Sequence, residues 1–570
     1  MQLYSTQYQN LYRSVSGTIT INNDDSMLYC DTSSGAVVIN LIDIPTDRWS
    51  TQYKLYIIDN SNNAATNNIT INAPTGFTIN GSSSFVMSTN GESCIVKISS
   101  NTNYVVESSI SSSGGLVIPF EGTNWNFVYG NGTHTANATQ LQNAYNSAKT
   151  KTPNGLPLSA TNRFTIIVGA GYYEFASNFT LDTEFIDIVS LSGKTDVILN
   201  GVGTIVISTD NIKINGISVL TKSFSLTLTN ASNVVCENCI GGNNSFGSGT
   251  IIISGTFINC TGGNFSFAGS GTASGTFTNC VGGNSSFGGF GGNASGTFTN
   301  CVGGQFSFGN SGTASGIFTN CTGAQYSFGT SGSTAGGTFI NCIGFNDSFG
   351  GGSGGTSGGT FINCKGGENS FGGSSDGSAV SIGDYNKCIG GNNSFGGSGL
   401  ADGLYKYCVG ESGSFGKIAS GIFTDCIGGD DCFAGGDNGG NLASGTFTNC
   451  IAGVNSFAGG DNNGGLASGY FVNCKGGAGS FGGGDNIGEA SGVFFNCIAG
   501  EESFGNKVCS GDFNNCQAGA SSFGNSNAGG GTLTGKLYFC RLTSGVFQTP
   551  SGSGKITLGI NGANAIITTP

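Results

Sequence analysis

The chain has 570 residues, of which 9% are charged and 103 are Gly, a composition that excludes an ordinary globular enzyme. Its formal net charge of −13 repels phosphate backbones and anionic lipid surfaces, so we expect no nucleic-acid partner. The 41 Phe and 20 Cys supply apolar side chains that a disordered chain lacks. We therefore expect the chain to fold.

The N-terminal residues predict a small β domain. Residues 1 to 112 show alternating apolar runs, such as VVINLI (37–42) and YKLYIID (53–59), separated by turn residues. This pattern is typical of a compact all-β domain. SSSGG (111–115) reads as a linker. Residues 1 to 20 contain no apolar run of signal-peptide type, and no stretch reaches the roughly 20 apolar residues of a membrane span, so we expect cytoplasmic synthesis and no membrane span.

A helix and several short strands are predicted next, between residues 113 and 235. ATQLQNAYNSAKTK (138–151) has the composition of a helix. It precedes strand-like runs that include FTIIVGAGYYEF (164–175) and FIDIVSL (185–191). A helix followed by many short strands predicts a cap and the leading coils of a β-helix, since an open solenoid end must be shielded.

Residues 236 to 540 repeat one motif about fourteen times. The unit reads SGTFTNCxGGxxSFGG, as in SGTFTNCVGGNSSFGG (274–289), and its length varies from 18 to 24 residues. Self-similarity at this period is a signature of stacked units, none of which can bury a face alone. We therefore predict an all-β chain in which an N-terminal β domain is followed by a long right-handed parallel β-helix. Fourteen rises of about 4.8 Å give a shaft of roughly 65 to 70 Å. Residues 541 to 570 depart from the motif and are predicted to cap it.

Three columns of side chains are predicted to line the interior, because their positions stay aromatic or thiol while the neighbouring positions vary. The first members of these columns are Phe257, Phe277 and Phe298; Phe267, Phe287 and Phe308; and Cys260, Cys280 and Cys301. An in-register parallel stack points all Cβ atoms the same way, which suits a disulfide poorly, so we expect free buried thiols. The position after each first-column Phe reads as outward-facing. Keeping the Cys inward then requires a bend at the preceding Asn, which tolerates the left-handed region and can bond its counterpart one coil away.

These segments resemble a known family. The amphipathic helix, the VGAGYYEF turn and the FIDIVSL strand look like the first coils of pectate-lyase-like right-handed parallel β-helices in bacteriophage tail fibres and tailspikes. SSGAVVINLIDIP and YKLYIIDN resemble attachment domains of phage and large-virus appendage proteins. The resemblance implies a homotrimer that is mounted on other virion or baseplate proteins by its N-terminal domain and exposed distally.

The sequence offers no convincing catalytic group, so we assign no catalytic residue and no enzyme activity. The one His, His134, lies in a polar stretch and has no nucleophile partner. Carboxylate pairs of the kind used in glycoside hydrolysis were considered. The candidates are Asp430 with Asp431, Glu501 with Glu502, and Asp376 with Asp384. Adjacent carboxylates point to opposite sides of a strand or sit in a turn, and so do not converge on one bond.

A column of three carboxylates is the one candidate metal site. GGDN occurs three times, and Asp437, Asp461 and Asp485 follow one another at intervals of 24 residues. Stacked carboxylates about 5 Å apart repel unless they are hydrated or bridged by a cation, so a Ca²⁺ ladder, a solvated turn and a carbohydrate contact are the alternatives. No other cofactor is predicted.

The leading functional hypothesis is a structural virion appendage, a tail fibre or spike shaft that presents a surface for a host glycan or protein receptor. We expect it on the virion after synthesis in the host cytoplasm. The alternatives are a polysaccharide-depolymerising tailspike, a bacterial surface adhesin, and an ice-binding protein suggested by TxT pairs such as Thr276 with Thr278.

Overall fold

A computed structural model describes residues 13–22, 25–43, 54–100, 102–109, 124–202, 205–219, 226–228, 233–247, 251–436, 441–460, 464–484, 488–524, 531–547, 554–563 and 565–569. The predicted linker at 111–115 lies outside these residues. The chain divides into two compact units, residues 1–128 and 129–570. Each is nearly all β, as predicted.

The first unit contains two sheets of short strands. One sheet has the strand order Arg13–Val15, Met27–Cys30, Lys54–Asp59, Ser93–Ser100, Asn103–Ser109 and Thr78–Ile79. The other sheet has the order Thr18–Thr20, Val37–Asn40, Ile69–Asn72 and Ser84–Met87. Trp125–Val128 is a strand that belongs to neither of these two sheets. The alternating apolar residues of these strands, among them Leu28, Val37 and Ile69, form one buried core. The pairing of the first three strands in each sheet is parallel, which the sequence pattern did not indicate.

The second unit begins with the helix His134–Ala148, which we call α1, and a 3₁₀ turn, Pro153–Gly155. The helix starts four residues earlier than predicted because Thr133 caps it, its hydroxyl oxygen accepting a hydrogen bond from the backbone N–H of Ala136. Leu141, Tyr145 and Ala148 are buried. His134 is exposed, and its ring centroid lies 5.1 Å from that of Tyr172.

The rest of the second unit is a parallel β-solenoid. Its leading coils have three strands each. These strands are Phe164–Val168, Gly171–Phe175, Phe179–Leu181, Ile186–Ser190, Val197–Gly201, Ile205–Ile207, Lys213–Asn215, Ile217–Val219, Leu226–Leu228, Val235–Glu237 and Ile240–Gly241. Corresponding strands of successive coils pair in parallel register, and the third of these sheets ends at Leu226–Leu228. The solenoid has about 21 turns in all. Its predicted right-handed winding stays a prediction.

Two sheets run along the repeat region. The long sheet continues from the first coils with the strands Thr256–Ile258, Thr276–Thr278, Thr297–Thr299, Ile317–Thr319, Thr338–Ile340, Thr360–Ile362, Asp384–Asn386, Leu404–Lys406, Ile422–Thr424, Thr446–Thr448, Tyr470–Val472, Val493–Phe495, Asp512–Asn514, Lys536–Tyr538 and Lys555–Thr557. The second sheet has the fourteen strands Ile252–Ile253, Thr272–Ala273, Asn293–Ala294, Thr313–Ala314, Thr334–Ala335, Thr356–Ser357, Val380–Ser381, Leu400–Ala401, Ile418–Ala419, Leu442–Ala443, Leu466–Ala467, Glu489–Ala490, Val508–Cys509 and Thr532–Leu533. These fourteen strands match the predicted number of coils.

Short strands complete the solenoid. Val302–Gly303 pairs with Thr322–Gly323. Near the C-terminus the strands Gln517–Ala518, Arg541–Leu542, Gly559–Ile560 and Ile566–Ile567 form a small sheet whose last pair is antiparallel. The strand Ile566–Ile567 occupies the edge of Gly559–Ile560 on which a further coil would otherwise pair, and it covers the backbone groups of that edge.

The interior is filled by two stacks of aromatic rings, as predicted. In the first stack the ring centroids of Phe277 and Phe298 lie 4.9 Å apart with planes 3° apart, and in the second those of Phe287 and Phe308 lie 4.9 Å apart at 2°. Between the stacks the rings meet edge to face, with Phe277 and Phe287 5.6 Å apart at 85°. All of these rings are fully buried. Each ring therefore packs on rings above, below and beside it, in the two arrangements that aromatic pairs favour.

One corner of each coil is made by the Asn before the ladder Cys, again as predicted. Asn300 and Asn320 have φ of 54°, in the left-handed region. The side-chain amide of Asn320 donates to Oδ1 of Asn300 at 3.1 Å, and the amide of Asn341 donates to Asn320 at 3.0 Å. This Asn ladder satisfies polar groups at a bend that would otherwise break the sheet.

A second corner of each coil is formed by the Ser-Phe pair of the repeat, such as Ser286 and Phe287, which we call the SF motif. Its backbone conformation was not predicted from the sequence. Phe287 and Phe308 themselves have positive φ, 54° and 56°, and the residue two positions earlier is also left-handed in most coils. A left-handed non-Gly residue costs of order 1–3 kcal/mol, whereas burying a Phe ring contributes about 1.5–3 kcal/mol before stacking is counted. The Ser between them is buried, and Ser286 Oγ donates to the carbonyl of Gly263 at 3.3 Å. Ring burial and this hydrogen bond together offset the strain.

The glycine two positions after each ladder Cys, such as Gly282 after Cys280, is required by close packing at the SF corner. A Cβ added to Gly282 would lie 2.5 Å from the Cβ of Ser286 and 2.7 Å from the Phe287 ring. The Gly after the Phe serves the other purpose, since Gly288 has φ of 67°. Gly282 is therefore required for close packing, and Gly288 is required both for positive φ and for close packing, since a Cβ there would lie 2.0 Å from the carbonyl oxygen of Asn293.

Candidate binding surfaces

The candidate metal residues Asp437, Asp461 and Asp485 lie outside the described residues. Across the part of the chain that the structure describes, no group of three or more His, Cys, Asp or Glu side chains is arranged to hold a metal ion. The Ca²⁺ ladder therefore stays a prediction.

The candidate carboxylates serve as local structural groups. Asp430 Oδ1 accepts the backbone N–H of Val454 in the next coil at 2.9 Å. Asp431 and Glu502 occupy left-handed corner positions with φ of 56°. Asp376 closes a serine turn, where hydrogen bonds from serine side chains lower the pKa of its carboxyl below the ordinary value. Asp376 therefore has a structural role within its own turn, and Asp430 has one in joining successive coils.

The thiols form the predicted buried column. All 20 Cys are free and buried. Each ladder thiol donates to a backbone carbonyl of the preceding coil, as Cys280 does to Phe257 and Cys301 to Phe277, both at 3.3 Å. Cys432 stands where other coils have the buried Ser, and burial raises the pKa of its thiol to about 12. Within the ladder, hydrogen bonds between neighbouring thiols lower the pKa of Cys280 and raise that of Cys301. Enclosed in this way, the thiols pack as small side chains.

An exposed apolar strip runs along the outside, formed by the residue that follows each ladder Cys. We call it the Val/Ile column; its members are Val281, Val302, Ile343, Ile389, Val409, Ile427, Ile451 and Ile498. They are between 36% and 48% exposed, and parallel bridges connect this position from coil to coil. Thr322, Lys365 and Lys475 interrupt the column. The sequence analysis had placed an outward column beside the first Phe stack and did not single out this one.

A second exposed feature lies on the SF corner of three successive coils. We call it the aromatic corner; it comprises Phe306, Tyr326 and Phe345, with Gln325 and Asn346 beside them. The rings of Phe306 and Tyr326 are stacked, with centroids 5.1 Å apart and planes 2° apart. Phe345 is 56% exposed and, with Ala324, Gln325 and Asn346, lines an open depression of about 320 Å³. Sequence analysis missed this cluster, although its signal is visible as aromatic residues at positions that are Gly, Asn or Ser in other coils.

The Asn ladder is interrupted once in its middle. Lys387, Tyr407 and Asp425 occupy three consecutive Asn positions with φ of 56°, 55° and 53°, and Lys406 Nζ lies 5.2 Å from the centroid of the Tyr407 ring. In the first two of these coils Tyr385 and Tyr405 replace Phe in the first stack, and their hydroxyls donate to interior carbonyls at 2.8 Å. The two buried Tyr hydroxyls thus have hydrogen-bond partners, while the residues on the outer face of these coils differ from those of other coils.

These features define the chain as a parallel β-solenoid whose chemistry lies on its outer surface. No helix of the described residues is long and apolar enough to cross a membrane. No protein-family model, curated protein or solved structure matches the chain.

Proposed function

We propose that this chain is a structural virion appendage, the shaft of a tail fibre or spike that carries a host-receptor-binding surface. The observation that carries the proposal is the interior. In the fourteen repeat coils the inward positions are given to stacked rings and thiols, which stiffen the solenoid and leave the outer surface free to vary. A protein whose buried side chains act only to stiffen the fold is suited to the role of a spacer.

The physical properties of the shaft support this role. Each coil adds one strand spacing, about 4.8 Å, so length is set by the number of repeats. Neighbouring coils share both ring stacks, and the stability of such an array is a sum of nearest-neighbour terms. Free thiols throughout agree with synthesis in a reducing cytoplasm. We assign the first unit, residues 1–128, to attachment to other virion proteins.

We further propose that the appendage is a homotrimer joined along the Val/Ile column. Contiguous apolar patches larger than a few hundred Å² are rare on monomers and mark interaction sites. The position repeats at the strand spacing, its longest unbroken apolar run is Ile389, Val409, Ile427 and Ile451, and a partner with the same period is another copy of the chain. Lys365 and Lys475 in the column show that the fold itself does not require an apolar residue there.

The oligomer is tested by analytical ultracentrifugation of the full chain. Replacing Ile427 and Ile451 together with Lys is expected to convert trimer to monomer, because a charge must be desolvated at each contact. The matched control is Ile418→Lys, a residue on the second sheet that is 40% exposed and outside the column. A monomeric parent protein, or trimers that survive the double substitution, would show that the column is not the interface.

The function itself is tested by electron microscopy of particles labelled with an antibody against residues 129–570. Label at the distal part of a projecting fibre is the expected result. If particles lack the protein, or if the purified chain releases oligosaccharides from a polysaccharide substrate, the assignment as a non-catalytic shaft is wrong.

A further inference from the structure

Aromatic residues at the aromatic corner are not required by the fold. Phe306 and Tyr326 have φ of 59° and 60°, a region that bulky side chains avoid. Other coils place Asn244 or Asn369 at this position, with φ of 61° and 53°, and one earlier coil places Phe265 there, 42% exposed and with φ of 55°. Phe306 and Tyr326 are half-buried, and an aromatic ring in a strained backbone conformation, where a small polar residue would do, indicates a role outside folding.

The glutamine amides beside these rings are also released from structural use, whereas Asn346 Oδ1 still accepts the backbone N–H of Glu368 at 3.1 Å. In the earlier coils Asn264 Oδ1 accepts the backbone N–H of Asn284, and Asn284 Oδ1 accepts that of Gln305, at 2.9 and 3.0 Å. At the next two coils the residue is Gln305 and then Gln325, and among the described residues neither Gln side chain makes a hydrogen bond. The extra methylene lifts each amide away from the backbone of the following coil. Donors and acceptors are thereby available to a ligand.

Phe345 completes the surface. The same position holds Gly263, Gly283 and Gly304 in other coils, so this ring too is an addition to the motif. It closes one side of the depression of about 320 Å³, whose other walls are Gln325 and Asn346. That volume lies at the lower end of the range for small-ligand sites.

From this arrangement we infer that the aromatic corner binds a neutral oligosaccharide. A sugar ring has an apolar face of C–H groups that packs on an aromatic ring, and a rim of hydroxyls that pairs with amide donors and acceptors. Phe345 and the stacked Phe306–Tyr326 pair supply the rings, and Gln325 and Asn346 supply the amides. Asp347 in the same coil and the net charge of −13 disfavour acidic sugars. The inference rests on the proposed function, since it places the receptor surface on the side of the shaft and names its ligand class.

The test uses the full chain on an array of neutral oligosaccharides built from glucose, galactose, mannose and N-acetylglucosamine, with sialylated and sulfated oligosaccharides on the same array. The strongest neutral ligand is then titrated by calorimetry. Phe345→Gly and Tyr326→Asn are the informative variants, because both residues occur at these positions in other coils and the fold accommodates them. We expect each to weaken binding at least tenfold. Phe290→Ala is the control, a ring that is 65% exposed in another loop, and it leaves the affinity unchanged.

Three results would overturn the inference: no binding to any neutral oligosaccharide, preference for the acidic ones, or affinity that is unchanged in both variants while their thermal unfolding matches that of the parent. Loss of attachment to host cells in Tyr326→Asn, without competition by any oligosaccharide of the array, would assign the corner to a protein receptor instead. Labelling of particles is independent of these readouts. If the fibre is labelled but the protein binds no sugar, only this inference is refuted. If the protein binds sugar but is absent from particles, the proposal that it is a virion appendage is refuted.

Discussion

Replacing one interior ring, Phe318, with Ala tests how much the ring stacks stabilise the shaft. Phe318 is fully buried and stacks at 4.8 Å on both Phe298 and Phe339. It also meets Phe308 and Phe328 edge to face at 5.9 and 5.5 Å. Phe→Ala in a core costs about 3–5 kcal/mol, and the cost is higher where the site cannot collapse. Because strands on either side hold the coils one strand spacing apart, we expect about 4 kcal/mol or slightly more.

The assay is urea denaturation of the full chain at 25 °C, combined with hydrogen exchange resolved by peptide. A solenoid opens in segments, so exchange in residues 296 to 340 reports the loss where it occurs. Phe290→Ala is the control, and because that ring is 65% exposed we expect a change within about 0.5 kcal/mol. If Phe318→Ala costs no more than the control, the rings do not form a continuous interior and the reasoning fails.

Three further predictions concern the Asn ladder and the thiols. Asn320→Ala is expected to lower the free energy of unfolding by about 2–3 kcal/mol, since it removes two amide hydrogen bonds of about 1 kcal/mol each and places Ala in the left-handed region. Asn320→Gly removes the same bonds without that strain and is expected to be about 1 kcal/mol less damaging, both by urea denaturation. Under reducing conditions the Cys432 thiol is expected to make stability fall above about pH 8.5, because burial raises the pKa of Cys432 from 9.0 to about 12 and the unfolded chain therefore ionises first. Cys432→Ser is expected to reduce that slope by up to about 1.4 kcal/mol per pH unit. None of the 20 thiols is expected to react with Ellman's reagent in the native protein, and all of them are expected to react in guanidinium chloride.

Each of these has a result that would contradict it. An Asn320→Gly variant less stable than Asn320→Ala would mean that the left-handed corner is not the source of strain. A pH profile that is the same for Cys432→Ser and the parent would mean that this thiol ionises as easily in the folded chain. Rapid reaction of several thiols in the native protein would place the Cys column outside the interior.

The repeat made the interior predictable. A residue type that recurs once per coil must have the same surroundings in each coil, so the positions of Phe277, Phe298 and Cys280 could be inferred from spacing alone. The Asn bend followed from a conflict in the pattern, since strict alternation would have turned the Cys outward. The ladder bond between Asn300 and Asn320 confirms that solution.

Other features were not predictable because they depend on backbone conformation. Left-handed geometry at Phe287 is adopted against the propensity of the residue, and only the packing of its ring on the neighbouring coils makes it favourable. The aromatic corner was missed for a related reason. The residues that recur in every coil define the motif, so departures in a few coils are easily overlooked, and Phe265, Phe306, Tyr326 and Phe345 are such departures. The start of α1 was misplaced because the cap, Thr133, lies in a stretch that is otherwise typical of a loop.

A cryo-electron microscopy map of the purified protein, at a resolution that separates β-strands, tests the central claim most directly. We predict a continuous solenoid over residues 256 to 538 in which two columns of ring density run side by side through the interior, with successive rings about 4.8 Å apart. A map that shows separate globules, or ring density on the outer surface, would contradict the coaxial stacking on which the fold and the proposed function depend.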